Sequence, residues 1–85
     1  MKIKNITYVE TNETRTDGRY PIRIGSEVEL YAPLVIGDRM LLSYVKDNEG
    51  NPKEGVLVTS AVKDIKKTET GLTVKTMNSI YYFEK

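Results

Sequence analysis

A small all-β domain is predicted: a barrel of five to six short antiparallel strands with little or no helix. Three observations carry this. No window repeats apolar residues at i, i+3, i+4 and i+7 between caps. Val, Ile, Thr and Tyr recur in short runs along the whole chain. Gly, Asn, Asp and Pro cut those runs at the intervals that tight turns require.

The elements follow in order. Lys2 to Val9 reads as the first strand. Ile6 and Tyr8 share one face and Ile3 falls on the other, so a bulge or two-sided position is expected near Lys4 and Asn5. Glu10 to Ser26 is polar and irregular. Asp17-Gly18 marks a turn, and Thr14-Arg15-Thr16 pairs with Arg19-Tyr20 across it in this reading. Pro21 cannot donate to a ladder and belongs to an edge or a loop. Glu27 to Tyr31 alternates, with Val28 and Leu30 inward and Glu27 and Glu29 outward.

Ala32-Pro33 stops that strand, and Gly37-Asp38 turns the chain. Arg39 to Val45 is apolar on both faces, as in a central or bent strand. Lys46 to Gly55 is a polar loop. Val56 to Lys66 is the longest extended run. Val56, Val58 and Val62 set its apolar phase, and Ile65 falls out of step, so a bulge or corner is expected within it. Lys67 to Gly71 reverses the chain into Leu72–Thr76. Met77-Asn78-Ser79 interrupts, and Ile80–Phe83 closes the domain.

Two barrels suit this size. An OB-type barrel places a helix where Lys46–Gly55 stands, and Gly50, Pro52 and Gly55 preclude it. Gly37-Asp38-Arg39-Met40-Leu41 is similar to the Gly-Asp-Arg lead-in to the second strand of SH3 domains. Thr68-Glu69-Thr70-Gly71 falls at their distal hairpin, and Met77-Asn78-Ser79 at their one-turn break. Over nearly its whole length the chain resembles an SH3-like barrel, which implies a fold and no more. The chain has no Trp, and no acidic-aromatic cluster follows its first strand, so the proline-rich peptide groove of that family is not expected.

Composition narrows the function. One domain over residues 1–85 is expected, because a chain of this length buries only about 60–65% of its unfolded surface and supports a single thin core. Lys and Arg number 13 against 12 Asp and Glu, so only a local patch, not the whole surface, would attract nucleic acid. The absence of Cys removes disulfides and thiolate ligands and suits a cytoplasmic setting. With no His either, neither a catalytic site, a metal site nor a cofactor is expected. Met1-Lys2-Ile3-Lys4-Asn5 leads into no apolar run of signal-peptide length, and no stretch approaches the ~20 apolar residues of a membrane span.

Three features are candidates for function. Register arithmetic across the Lys67–Gly71 turn brings Thr59 and Ser60 against Asn78 and Ser79. These hydroxyl and amide groups suit recognition of a polar ligand or a partner's backbone. They equally suit bonding the chain's own backbone at a bulge and a turn. Ser60 as a nucleophile would need a base, and only Lys63 or Lys75 is near in sequence register. A second feature is basic: Lys63, Lys66, Lys67 and Lys75 lie on the same hairpin, with Lys63 expected opposite Lys75 and Tyr81 nearby. Such a sheet holds single-stranded nucleic acid by charge and stacking, but Asp64 and Glu69 interrupt it, and Lys also guards strand edges.

The third feature is the loop carrying Arg15, Arg19, Tyr20 and Arg23, residue types that dominate binding hot spots. The leading expectation is therefore a non-catalytic protein-interaction module. An adaptor or inhibitor, of the kind that phages and mobile elements carry, suits its size. Homo-oligomerisation through a sheet edge is a second mode of protein contact. A nucleic-acid-binding barrel using the Lys hairpin ranks below it.

Overall fold

Turn chemistry and alternation resolve into β1 (Lys2–Tyr8), α1 (Tyr20–Arg23), β2 (Glu27–Leu30), β3 (Arg39–Lys46), β4 (Val56–Lys67), β5 (Gly71–Thr76) and β6 (Ser79–Glu84). The structure, a computed structural model, describes residues 1–85. The six antiparallel strands run in chain order around one closed sheet, with β6 returning to β1. This is the all-β architecture that the sequence predicts. The single helix is one turn, with Pro21 at its start, where the missing N–H costs nothing. No helix is long and apolar enough to cross a membrane.

Ile3, Ile6, Val28, Met40, Leu42, Leu57, Val62, Val74, Tyr81 and Phe83 form the buried core. Ile3 and Ile6 lie three residues apart, which a regular strand would place on opposite faces. A bulge between Ile3 and Asn5 turns both inward, as their spacing implied. Two further slips occur in β4. One lies opposite Arg39–Leu41 and the other between Val62 and Asp64, so that Thr59, Val62 and Ile65 all point toward the interior side.

These slips correct several expectations. The apolar phase of early β4 is the reverse of the one read from Val56 and Val58. Leu57 and Thr59 are buried, while Val56 and Val58 are 46% and 49% exposed. Leu30 shares the inner face with the buried Leu42 opposite it but is 43% exposed, because only Val28 of β2 reaches the core. Lys66 pairs with Thr73, one residue from the expected Leu72, and the Lys63 bulge sets Asp64 opposite Lys75. Met77-Asn78 is a tight reversal between β5 and β6, so β5 alone pairs with β4, and β6 pairs with β5 and β1.

The 10–26 segment also departs from its expected hairpin. Asn12 adopts a left-handed φ of 59° and reverses the chain onto β1. Tyr8 N–H then donates to Glu13 O at 2.9 Å, and Arg15 N–H to Ile6 O at 2.8 Å. Thr14 bridges Thr7 instead of pairing across Asp17-Gly18.

Gly71 starts β5 where the backbone of β6 passes directly beneath it. A Cβ there would collide with the carbonyl oxygen of Phe83. Gly71→Ala is expected to destabilise the domain by about 1–3 kcal/mol, the cost of overpacking a tight site. Urea unfolding of both proteins measures it.

Candidate interaction cleft

Arg15 is placed by the return of its segment onto β1, and its side chain crosses to the β5–β6 turn. Nη1 donates to Asn78 O at 2.7 Å and to Ser79 Oγ at 2.9 Å. Nε and Nη2 grip Asp17 at 3.0 and 2.7 Å in a bidentate pair. The guanidinium centre lies 4.0 Å from the Tyr20 ring centroid and 4.8 Å from that of Tyr8. Arg15 is therefore a brace between the loop and the sheet, with its side chain only 13% exposed.

Asp17 feels the brace directly. Its hydrogen bonds from Arg15 hold its carboxyl down at about 2. Tyr8 Oη adds a longer contact at 3.2 Å.

The polar quartet converges as expected, through backbone bonds. Thr59 Oγ1 accepts Met40 N–H at 3.1 Å and donates to Ser60 O at 2.8 Å. This replaces a ladder bond that the first β4 slip removes. Ser60 Oγ accepts Asn78 N–H at 3.2 Å. Ser79 is buried and receives Arg15. Thr76, which sequence reading missed, closes the turn: it accepts Ser79 N–H at 3.2 Å and donates to Ser79 O at 3.0 Å. No lysine hydrogen-bonds Ser60.

Brace and quartet meet around one cleft of about 340 Å³. Its walls include Tyr20 and Arg23 from the loop, Thr59 and Ser60 from β4, and Asn78 and Ser79 from the β5–β6 turn. Arg39, Val58, Thr76 and Tyr81 complete it. Arg39 and Tyr81 were not foreseen there, because only the closed register brings the start of β3 and the middle of β6 together. Burial pushes the Tyr81 phenol up to about 12, with Arg23 and Arg15 drawing it the other way. It is a neutral polar group at the edge of the core.

Arg23 lies 5.2 Å from the Tyr20 ring, and its guanidinium has no anionic partner. Arg39 has none either, since Arg15–Asp17 is the chain's one ion pair. No acidic residue lines the cleft. Arg19 stands apart, in an adjoining depression of about 180 Å³ with Ile22, Arg23, Tyr44, Lys53, Val56 and Leu57.

The Lys group lies elsewhere. Lys63, Lys66, Lys67 and Lys75 are exposed, and Lys66 and Lys75 share the outer face with Asp64. Tyr82, opposite Thr73, is the aromatic on that face; Tyr81 points inward. Comparison with protein-family models, curated proteins and solved structures finds no match for this chain.

Two outcomes follow for the brace. Arg15→Ala leaves Asn78 O and Ser79 Oγ without their donor and is expected to cost about 1–3 kcal/mol in denaturant unfolding. Arg19→Ala, which loses no hydrogen bond, stays within about 0.5 kcal/mol. Because the Asp17 pKa is depressed in the fold, its contribution is present above the ordinary carboxylate range near 4 and lost as pH falls toward about 2. An NMR titration should find Asp17 near that value in the native chain and back near the ordinary range in Arg15→Gln.

Proposed function

We propose that the chain is a non-catalytic protein-interaction module of the adaptor or inhibitor type, and that the partner engages the cleft between the 15–23 loop and the β5–β6 turn. One observation supports this above others: Arg23 and Arg39 line a single polar cleft without any carboxylate to neutralise them. Unpaired guanidinium groups beside an aromatic and rigid hydroxyls are what interface anchors consist of. The loop that carries Arg23 is held by the Arg15 brace, so little ordering entropy is lost on association.

The Lys hairpin has less support as a nucleic-acid surface. Asp64 faces Lys75 and breaks the positive field. Lys63, Lys66 and Lys67 lie along the part of β4 that has left β3, where charge protects a free edge from aggregation.

Affinity capture from a lysate of the cell of origin separates the readings. A protein should be retained after nuclease treatment, retained equally by Lys66→Glu/Lys67→Glu, and lost with Arg23→Ala/Arg39→Ala. Recovery of nucleic acid by the wild type, abolished in the Lys variant, would instead favour the hairpin.

A further inference from the structure

Strand β4 divides its pairing. Val56 to Ala61 pairs with β3, and the ladder to β5 begins only at Val62. No loop backbone group bonds the backbone of residues 56–60 on the side away from β3, and the one turn amide that reaches this stretch, Asn78 N–H, meets the Ser60 hydroxyl. Tyr44 N–H donates to Gly55 O at 3.0 Å, and Leu42 stands opposite Leu57. Antiparallel alternation therefore turns the N–H and C=O of Val56 and Val58 to the open side. These groups repeat at about 7 Å, the spacing of a strand that awaits another.

The two free edges of β4 are treated differently. Beyond Val62 the strand carries Lys63, Lys66 and Lys67. The Val56–Ser60 edge carries no charge, and its two valines are about half exposed. Charge is supplied from beside it. Arg23 lines both the main cleft and the adjoining depression, so it flanks the edge along its length. Arg39 adds a cation at one end and Lys53 at the other. Neither hollow has an acidic wall.

We propose that an extended, acidic segment of a partner protein adds as a further strand along Val56–Ser60, bonding the backbone of Val56 and Val58 and setting its carboxylates against Arg23 and Arg39. Strand addition draws affinity from main-chain bonds and specificity from alternate side chains. This deepens the cleft reading and rests on it. A second copy is a poor occupant, because edge-to-edge pairing would gather Arg23, Arg39 and Lys53 of both copies with no carboxylate between them.

The test selects peptides from a random phage-displayed library on the intact protein. A selected peptide is then synthesised with free amides and with alternate amides N-methylated. Val58→Pro removes one open-side donor and leaves the β3 ladder intact, since proline is tolerated where an edge N–H faces outward. Selected peptides are expected to be rich in Asp and Glu and to shift the amide resonances of residues 56–60. Their Kd should weaken about tenfold or more in Val58→Pro, in Arg23→Gln/Arg39→Gln, and with one of the two N-methylation patterns. The methylated peptides need no altered protein, so the result stands even where Val58→Pro fails to fold. Failure to select any peptide overturns the proposal, as does a Kd indifferent to both backbone changes. A wild-type dimer that Val58→Pro dissolves overturns it in favour of a second copy. Peptides that shift the 19–23 loop but ignore Val58→Pro refute the edge alone, whereas nuclease-sensitive capture refutes the interaction reading itself.

Discussion

Closure of this small barrel depends on β4, the long strand that meets its two neighbours one after the other along its length. Its twelve residues pass from β3 to β5 at Ala61–Val62. The passage needs both bulges, because Leu57, Thr59, Val62 and Ile65 do not follow one strand phase, yet all must turn toward the interior. Everything of interest on the surface follows from this hand-off. It opens an edge at Val56–Ser60, draws Thr59 and Ser60 out of regular pairing, and leaves their hydroxyls to bond backbone groups of β3 and of the β5–β6 turn.

The Arg15 brace is the second requirement. Of the segment between β1 and β2 only Tyr20 and Ile24 pack against the core, while Ile22 is exposed. Arg15 supplies the remaining hold by hydrogen bonds and ring contacts. It spends its donors inside the chain, and so it differs from Arg23 and Arg39, whose charges stay unmatched. Residues of one type in one region thus divide between bracing the cleft and lining it with unpaired charge.

Much of this was legible in the sequence. Strand-forming runs and turn residues foretold five to six strands, of which six form, and the spacing of Ile3 and Ile6 called for a bulge or a two-sided position, of which the bulge is present. The Thr59, Ser60, Asn78 and Ser79 cluster forms by a route other than the expected continuous ladder: the β4–β5 ladder ends at Val62 and Thr76, and the turn that follows sets Met77 N–H on Ala61 O and Asn78 N–H on Ser60 Oγ. The phase of Val56 and Val58 was misread because β-branched residues on an exposed edge look like core residues. Leu30 was misread for a similar reason, since alternation fixes a face but not how far the strand reaches over the core. The meeting of Arg23 with Arg39 was invisible, because it depends on closure of the sheet between residues distant in the chain.

Amide hydrogen exchange followed by NMR tests the β4 hand-off most directly, since it reports each backbone N–H by itself. Leu57, in the β3 ladder, and Val62, which donates to Asp38 O at 2.8 Å, should exchange slowly. Val56 and Val58 should exchange near the rate of unprotected amides in the isolated protein. Slow exchange at Val56 and Val58 would contradict the account, because it would mean that the edge left open by the hand-off already has a partner.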